Sequence, residues 1–459
     1  MRFTQYYLDC LSQASYLIAD VSTGQAVVVD PRRDVAEYLE DTRANGLSIV
    51  GIINTHFHAD FLSGHLELAR ETRAWIGYGA AAKPEFEVRP LEDGERISLG
   101  DVTLEIMATP GHTPESISVL VYEHADDEVA YGVLTGDALF IGDVGRPDLL
   151  ASVGVTADEL GRMLYASVQH KLMGLPDEVR VFPAHGAGSA CGKNLSTEKQ
   201  STIGEQRRFN YACQPMDEQS FVDLVTEGQP AAPAYFLYNA TLNKAERGVR
   251  DTDARIPVLS DEQVDEALAG GAILVDARDQ QEFAAGHLKG SISIPSDGRL
   301  AETVGTVLEP TQAFVLLAPE EQAQEVAVRF ARIGFDQVLG HVTDPEAYLL
   351  AREERVERAS RLTVAQVEDV CDQDLVQVID IRNVGELSAG MVPGARHLPL
   401  AELRSRIAEL NPARPVVLYC AGGWRSNVGA SVLRAQGFSD VSDLIGGYNA
   451  WALTHSLAS

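Results

Sequence analysis

Six residues in the first half of the chain carry side chains that could jointly hold a metal ion. His56, His58 and Asp60 lie in IINTHFHADFLSG, His112 in VTLEIMATPGHT, Asp137 in VAYGVLTGDALF and His185 in VRVFPAHG. Imidazole nitrogens and carboxylate oxygens are the usual ligands of zinc and of non-haem iron. Taken singly, each of these is an ordinary loop residue satisfied by hydrogen bonds. Taken together, they follow four separate apolar stretches, each beside a turn residue, which chance seldom arranges. Residues at i and i+2 of an extended segment project to the same side, so His56 and His58 can converge on one point. The remaining histidines, among them His65, His170, His287 and His341, lack that setting and read as surface or core residues.

A second chemistry stands near the other end of the chain. VVLYCAGGWRSNVGASVL reads as a buried strand, a tight loop and a helix, with Cys420 closing the strand. Ala421, Gly422, Gly423 and Trp424 make the loop, and Arg425 and Ser426 open the helix. The glycines let backbone N–H groups turn toward the sulfur, and a helix N-terminus with an arginine adds positive potential. Such surroundings favour a thiolate or a persulfide anion, the forms that carry sulfur. The competing reading, an inert buried cysteine at a strand end, leaves the two glycines and the arginine unexplained.

Both sets of residues need rigid elements to present them. In residues 1–250, short apolar runs such as QAVVVDP and IVGIINT alternate with helical stretches such as HLELARETR. The second half contains an internal repeat. Asp276, Arg278, Glu282, Gly286, Gly290 and Pro295 match Asp380, Arg382, Glu386, Gly390, Gly394 and Pro399, each 104 residues later. Each copy reads as strand, turn, helix and strand, so two α/β domains are expected at 255–355 and 361–459, joined near 356–363. In the first copy Ala318 stands where Cys420 stands in the second, and Glu320 and Glu321 replace the glycines. Neither nucleophile nor anion cradle remains there, so that copy is expected to be catalytically silent, a spacer or a docking surface.

Composition narrows the classes. At 459 residues, with 45% hydrophobic and 23% charged residues, the chain can fill several cores. A net charge of -30 repels nucleic acid and anionic membrane, so neither is an expected partner. No apolar h-region follows Arg2, and no apolar run approaches the ~20 residues that span a bilayer. Five cysteines, at 10, 191, 213, 371 and 420, are odd in number and widely spaced, which is no disulfide framework. A cytoplasmic protein is expected, and a homo-oligomer is among the assemblies the sequence allows.

The metal-competent residues resemble the metallo-β-lactamase superfamily, with H-x-H-x-D, then G-H-T, G-D and A-H-G. Its dinuclear hydrolases carry a histidine directly after H-x-H-x-D. Phe61 occupies that position here and has no lone pair to give, so a single ion is expected. Two imidazoles and one carboxylate around one ion leave positions open for dioxygen and substrate together, as in non-haem iron(II) oxygenases. Within the superfamily this is similar to the persulfide dioxygenases, and the resemblance implies His56, His112 and Asp137 as ligands of one iron(II). His58, Asp60 and His185 would then orient ligands or bound water, or, with zinc, serve as further ligands. The Cys420 segment and the repeat resemble rhodanese domains. Cys420 to Arg425 spans six residues, the loop size of sulfurtransferases, whereas related phosphatases have one more.

The whole therefore resembles persulfide dioxygenase–rhodanese fusion proteins: an αββα sandwich followed by two α/β rhodanese domains. The resemblance implies oxidation of a low-molecular-weight thiol persulfide by dioxygen to sulfite, with thiosulfate formed through Cys420. Two rivals remain, a zinc-dependent glyoxalase-II-like thioester hydrolase and a non-enzymatic sulfur carrier. Cys191, close after His185, could approach the metal pocket.

Overall fold

The computed structural model describes residues 1–149, 154–229, 232–251, 254–371 and 376–456. The chain divides into two compact units, one comprising 1–232 and 236–253, the other 233–235 and 254–459.

The first unit is built on two six-stranded sheets. One runs in the order Arg2–Leu8, Gln13–Ala19, Gln25–Val29, Ser48–Ile53, Trp75–Gly79, Arg89–Leu91. The other runs Ser201–Thr202, Arg180–Pro183, Gly132–Gly136, Ile117–Tyr122, Thr103–Ala108, Arg96–Ser98. Alternate residues of the two sheets, such as Tyr16, Ile18, Val27 and Val29 against Leu104, Ile106, Val119 and Val121, pack into one apolar layer. The opposite faces are covered by helices: Val28, Ile52 and Ile76 meet Tyr38 and Leu68, while Val133 and Val181 meet Leu164, Val168 and Phe221. Coverage on both sides explains why Gln13–Ala19 is buried at every position. The result is the expected αββα sandwich.

Strand direction gathers the chemistry at one end of it. Gln25–Val29 runs parallel to Ser48–Ile53, so Asp30 and the His56 loop emerge side by side. Gly132–Gly136 runs parallel to Arg180–Pro183, which brings out Asp137 and His185 together. The turn bearing His112 joins Thr103–Ala108 to its antiparallel neighbour Ile117–Tyr122 at that same end. The two sheets are tied there by Ile117 N–H donating to the Thr55 carbonyl at 2.9 Å.

The second unit holds a four-stranded parallel sheet ordered Ile292–Ser293, Ile273–Asp276, Phe314–Leu317, Val338–Val342, and a five-stranded sheet ordered Ser360–Leu362, Val441–Leu444, Val416–Tyr419, Gln377–Asp380, Arg396–His397. Each copy keeps a buried clamp at the end of its first long strand. Arg278 pairs with Asp276 at 2.6 Å and donates to the Gly286 carbonyl, and Arg382 does the same with Asp380 and Gly390. The junction between copies is itself structured: Val356–Glu357 pairs antiparallel with His287–Leu288, and Ser360–Leu362 joins the last sheet. Among the described residues no helix is long and apolar enough to cross a membrane.

Candidate metal centre and sulfur-carrying loop

The structure brings His56, His112 and Asp137 together, all buried, with one ligand atom from each lying within 4.8 Å of the others. The hydrogen bonds behind these side chains fix which atoms face inward. Thr55 Oγ–H donates to Asp30 Oδ2 at 2.9 Å, so its oxygen accepts from His56 Nδ1 at 3.0 Å. His112 Nδ1 donates to the Arg146 carbonyl at 3.0 Å. Both rings therefore keep their lone pairs on Nε2, which lie 3.8 and 3.4 Å from Asp137 Oδ2.

A cation fits this set. His56 Nε2 is buried without a hydrogen-bond partner among the described residues, and the Asp137 carboxylate, met by the Cys191 thiol, is buried with it; such atoms are costly unless something charged compensates them. Burial, and then the neighbouring Asp60 carboxylate, push the Asp137 pKa well above the usual carboxylate range. Burial holds the His112 pKa at about 4 and lowers His56 as well, so both imidazoles are neutral at neutral pH, the form a metal ion requires.

The other sequence candidates occupy the same pocket in different ways. His58 does not join the trio through Nε2, which lies 3.0 Å from Asp30 Oδ1. Its ring centroid is 4.2 Å from that of His56 and 4.3 Å from that of Phe61. Phe61 is thus an apolar wall beside His58. Asp60 and His185 face each other at 3.1 Å, and with Cys191 they form a second trio of buried donors within 4.8 Å. Cys191 does approach the metal pocket, as its position in sequence allowed. Burial, then the charges of Asp137 and Asp60, push its thiol pKa up.

Several supporting residues went unnoticed in the sequence. Asp30, non-glycine yet at φ 52°, accepts from Thr55 N–H, Thr55 Oγ and His58. Glu115 accepts from Phe57 N–H at 3.0 Å. Asn243, on the helix Tyr235–Lys244, donates to the carbonyls of His58 and Phe61 and accepts from Ser63 N–H. Gly136, at φ 51°, delivers Asp137, and a side chain there would strike Thr55.

In the last domain Cys420 ends the strand Val416–Tyr419, buried at the mouth of the helix Trp424–Ala435. Gly423, at φ 95°, turns its N–H onto Cys420 Sγ at 3.1 Å, and Ser426 Oγ lies 3.7 Å from the sulfur. Ala421 and Gly422 continue the loop, and the carbonyls of Cys420 and Ala421 accept from Tyr448 and Asn449 N–H. Arg425 is held by a two-pronged ion pair with Glu386, at 2.8 and 2.6 Å. Its guanidinium outweighs burial and keeps the Glu386 carboxyl below the usual range. In the first copy Ala318 ends the equivalent strand, and Glu320, Glu321 and Glu282 line a cavity of about 510 Å³ that has no counterpart of Arg425. Cys10, Cys191, Cys213 and Cys420 are all buried, while the Cys371 side chain lies outside the described residues.

Each of the two parts matches a known protein family. The family model described as Metallo-beta-lactamase superfamily matches residues 8–185, and that described as Rhodanese-like domain matches 260–341 and 363–454. Persulfide dioxygenase ETHE1, mitochondrial, of Bos taurus is 31% identical over 200 residues, covering 43% of this chain and 69% of that protein. A hydroxyacylglutathione hydrolase of Synechococcus sp. is 30% identical over 185 residues, covering 39% of this chain and 67% of the hydrolase. A crystal structure of a metallo-beta-lactamase from Staphylococcus aureus matches with a TM-score of 0.67 at 31% identity, covering 74% of this chain and 98% of that one. The chain therefore belongs to the metallo-β-lactamase superfamily, as a member that carries two rhodanese-like domains behind its αββα sandwich.

Proposed function

We propose that the protein is a non-haem iron persulfide dioxygenase joined to a rhodanese sulfurtransferase, acting on a low-molecular-weight persulfide. The observation that carries this reading is the buried trio of two neutral imidazoles and one carboxylate, with Phe61 packed on the neighbouring His58. Similarity to persulfide dioxygenase ETHE1 supports it. An iron(II) ion held by His56, His112 and Asp137 would supply open positions for dioxygen and a persulfide sulfur. Thr55 and the Arg146 carbonyl would keep the imidazoles oriented, and Asp60 and His185 would hold or move a proton at the edge of the pocket.

The balance is simple: one persulfide anion, one dioxygen and one water give one thiol, one sulfite and one proton. Cys420, as a persulfide, would hand its outer sulfur to sulfite and return to thiolate, giving thiosulfate. Joining both activities in one chain raises the effective concentration of the shared sulfur species.

A second reading rests on the Asp60, His185 and Cys191 trio and on the similarity to hydroxyacylglutathione hydrolase. It is a zinc-dependent thioester hydrolase with an appended sulfurtransferase. Metal analysis and an oxygen electrode, with glutathione persulfide as substrate, separate the two. We expect iron, oxygen uptake and sulfite from the full chain, all lost in His112→Ala while sulfur transfer at Cys420 persists. Zinc, no oxygen uptake and hydrolysis of a glutathione thioester would replace this reading with the second.

A further inference from the structure

The helix that follows Cys420 packs its polar side against the silent copy rather than against solvent. Ser293 of the silent copy donates its N–H to Ser431 Oγ at 3.0 Å and its hydroxyl to Asn427 Oδ1 at 2.7 Å, and all three residues are fully buried. Arg404 and Glu309 form an ion pair at 2.8 Å across the same boundary. These contacts anchor the helix whose N-terminus faces the sulfur.

The next contact reaches the loop itself. Asp297, in the turn that follows the strand Ile292–Ser293, accepts from Trp424 Nε1–H at 3.0 Å. Trp424 lies in the six-residue loop between Cys420 and Arg425, directly after the glycine that donates to the sulfur. The next residue, Gly298, takes φ 64°, which turns the chain back alongside the indole. A surface tryptophan with a free N–H samples several rotamers, whereas a carboxylate acceptor in a neighbouring domain selects one.

We propose that the silent copy completes the sulfurtransferase site, with Asp297 as a positioning residue that fixes Trp424 as one wall of the entrance to Cys420. The inference rests on Cys420 being the sulfur carrier. In the step concerned, the acceptor's lone pair attacks the outer sulfur of the Cys420 persulfide. The S–S bond breaks, its electron pair stays on Cys420 Sγ as thiolate, and a new bond joins the sulfur to the acceptor. With sulfite as acceptor, the product is thiosulfate. A fixed indole sets how the acceptor enters and leaves the chemistry at sulfur untouched.

The test uses the full-length protein with thiosulfate as donor and cyanide as acceptor. Asp297→Ala is expected to raise the acceptor KM by about tenfold, the factor of one ordinary hydrogen bond to a charged group, with kcat and the thermal midpoint unchanged. Trp424→Phe, which lacks the N–H, should give the same rise, and the double variant should add nothing to it. Asp297→Asn keeps an acceptor oxygen and should restore the parent KM. An unchanged KM in Asp297→Ala, or a fall in kcat and stability with KM unmoved, overturns the inference. Cys420→Ser separates the two layers: if transfer survives in that variant, the sulfur-carrier reading itself has failed.

Discussion

Asp30 illustrates how much one residue does behind the candidate metal ligands. Its carboxylate collects the Thr55 N–H, the Thr55 hydroxyl and His58 Nε2, and the Thr55 oxygen in turn takes the proton of His56 Nδ1. Replacing it by alanine leaves buried donors without partners, at a cost of about 2–3 kcal/mol. It also frees the His56 ring, so Asp30→Ala is expected to weaken metal binding roughly 10–100-fold. Metal titration and chemical unfolding of the variant check both numbers, and unaltered affinity would remove Asp30 from the account. At this scale the sequence displayed the donors because each follows its own strand. It concealed their supports: Asp30 and Asn243 reach the His56–Phe61 loop from 28 to 185 positions away, and no local pattern marks such pairings. His58 was legible as a histidine of the pocket, while its turn toward Asp30 depends on the strand beside it.

The helix His65–Thr72 shows an element held by charge as well as by packing. Glu67, fully buried on it, takes Arg33 Nε at 2.9 Å and Arg247 at 2.6 and 2.9 Å. Burial alone would raise its pKa, yet the hydrogen bonds and charge of Arg247, then of Arg33, bring it down to about 2. A folded-state pKa below the unfolded value of 4.5 stabilises the fold above that value and loses its effect as pH falls. About 3 kcal/mol should therefore drain from the first unit between pH 4.5 and 2. Glu67→Gln is expected to be less stable at pH 7 and flat across that window, measured by urea unfolding at a series of pH values. An unchanged acid limb would assign the loss to other carboxylates. Elements were easier to read than their ends. Short apolar runs announced the strands, and the repeat announced the paired domains, but the short strand Val356–Glu357 was hidden in a polar junction because its partner, His287–Leu288, lies far back in the chain.

The molecule as a whole carries a charge of -30, and the persulfide anion of the proposed reaction would approach through that field. Raising salt from about 10 mM to about 150 mM shortens the reach of the field from about 30 Å to about 8 Å. Oxygen uptake at limiting persulfide is expected to rise about two- to fivefold over that range; a fall would reveal a locally positive approach route instead. The domain order was open to inspection in the sequence because two copies of one pattern, 104 residues apart, can hardly be read otherwise. Those copies also instruct. Both keep the Asp–Arg clamp onto a glycine carbonyl, and both keep a glutamate that caps the following turn, Glu282 on Asp279 N–H and Glu386 on Asn383 N–H. Among the described residues only Glu386 of the two is gripped by an arginine. The protein thus contains its own blank: features common to the twins belong to the casting, and the differences, the arginine grip and Cys420 among them, mark out the tool that is proposed.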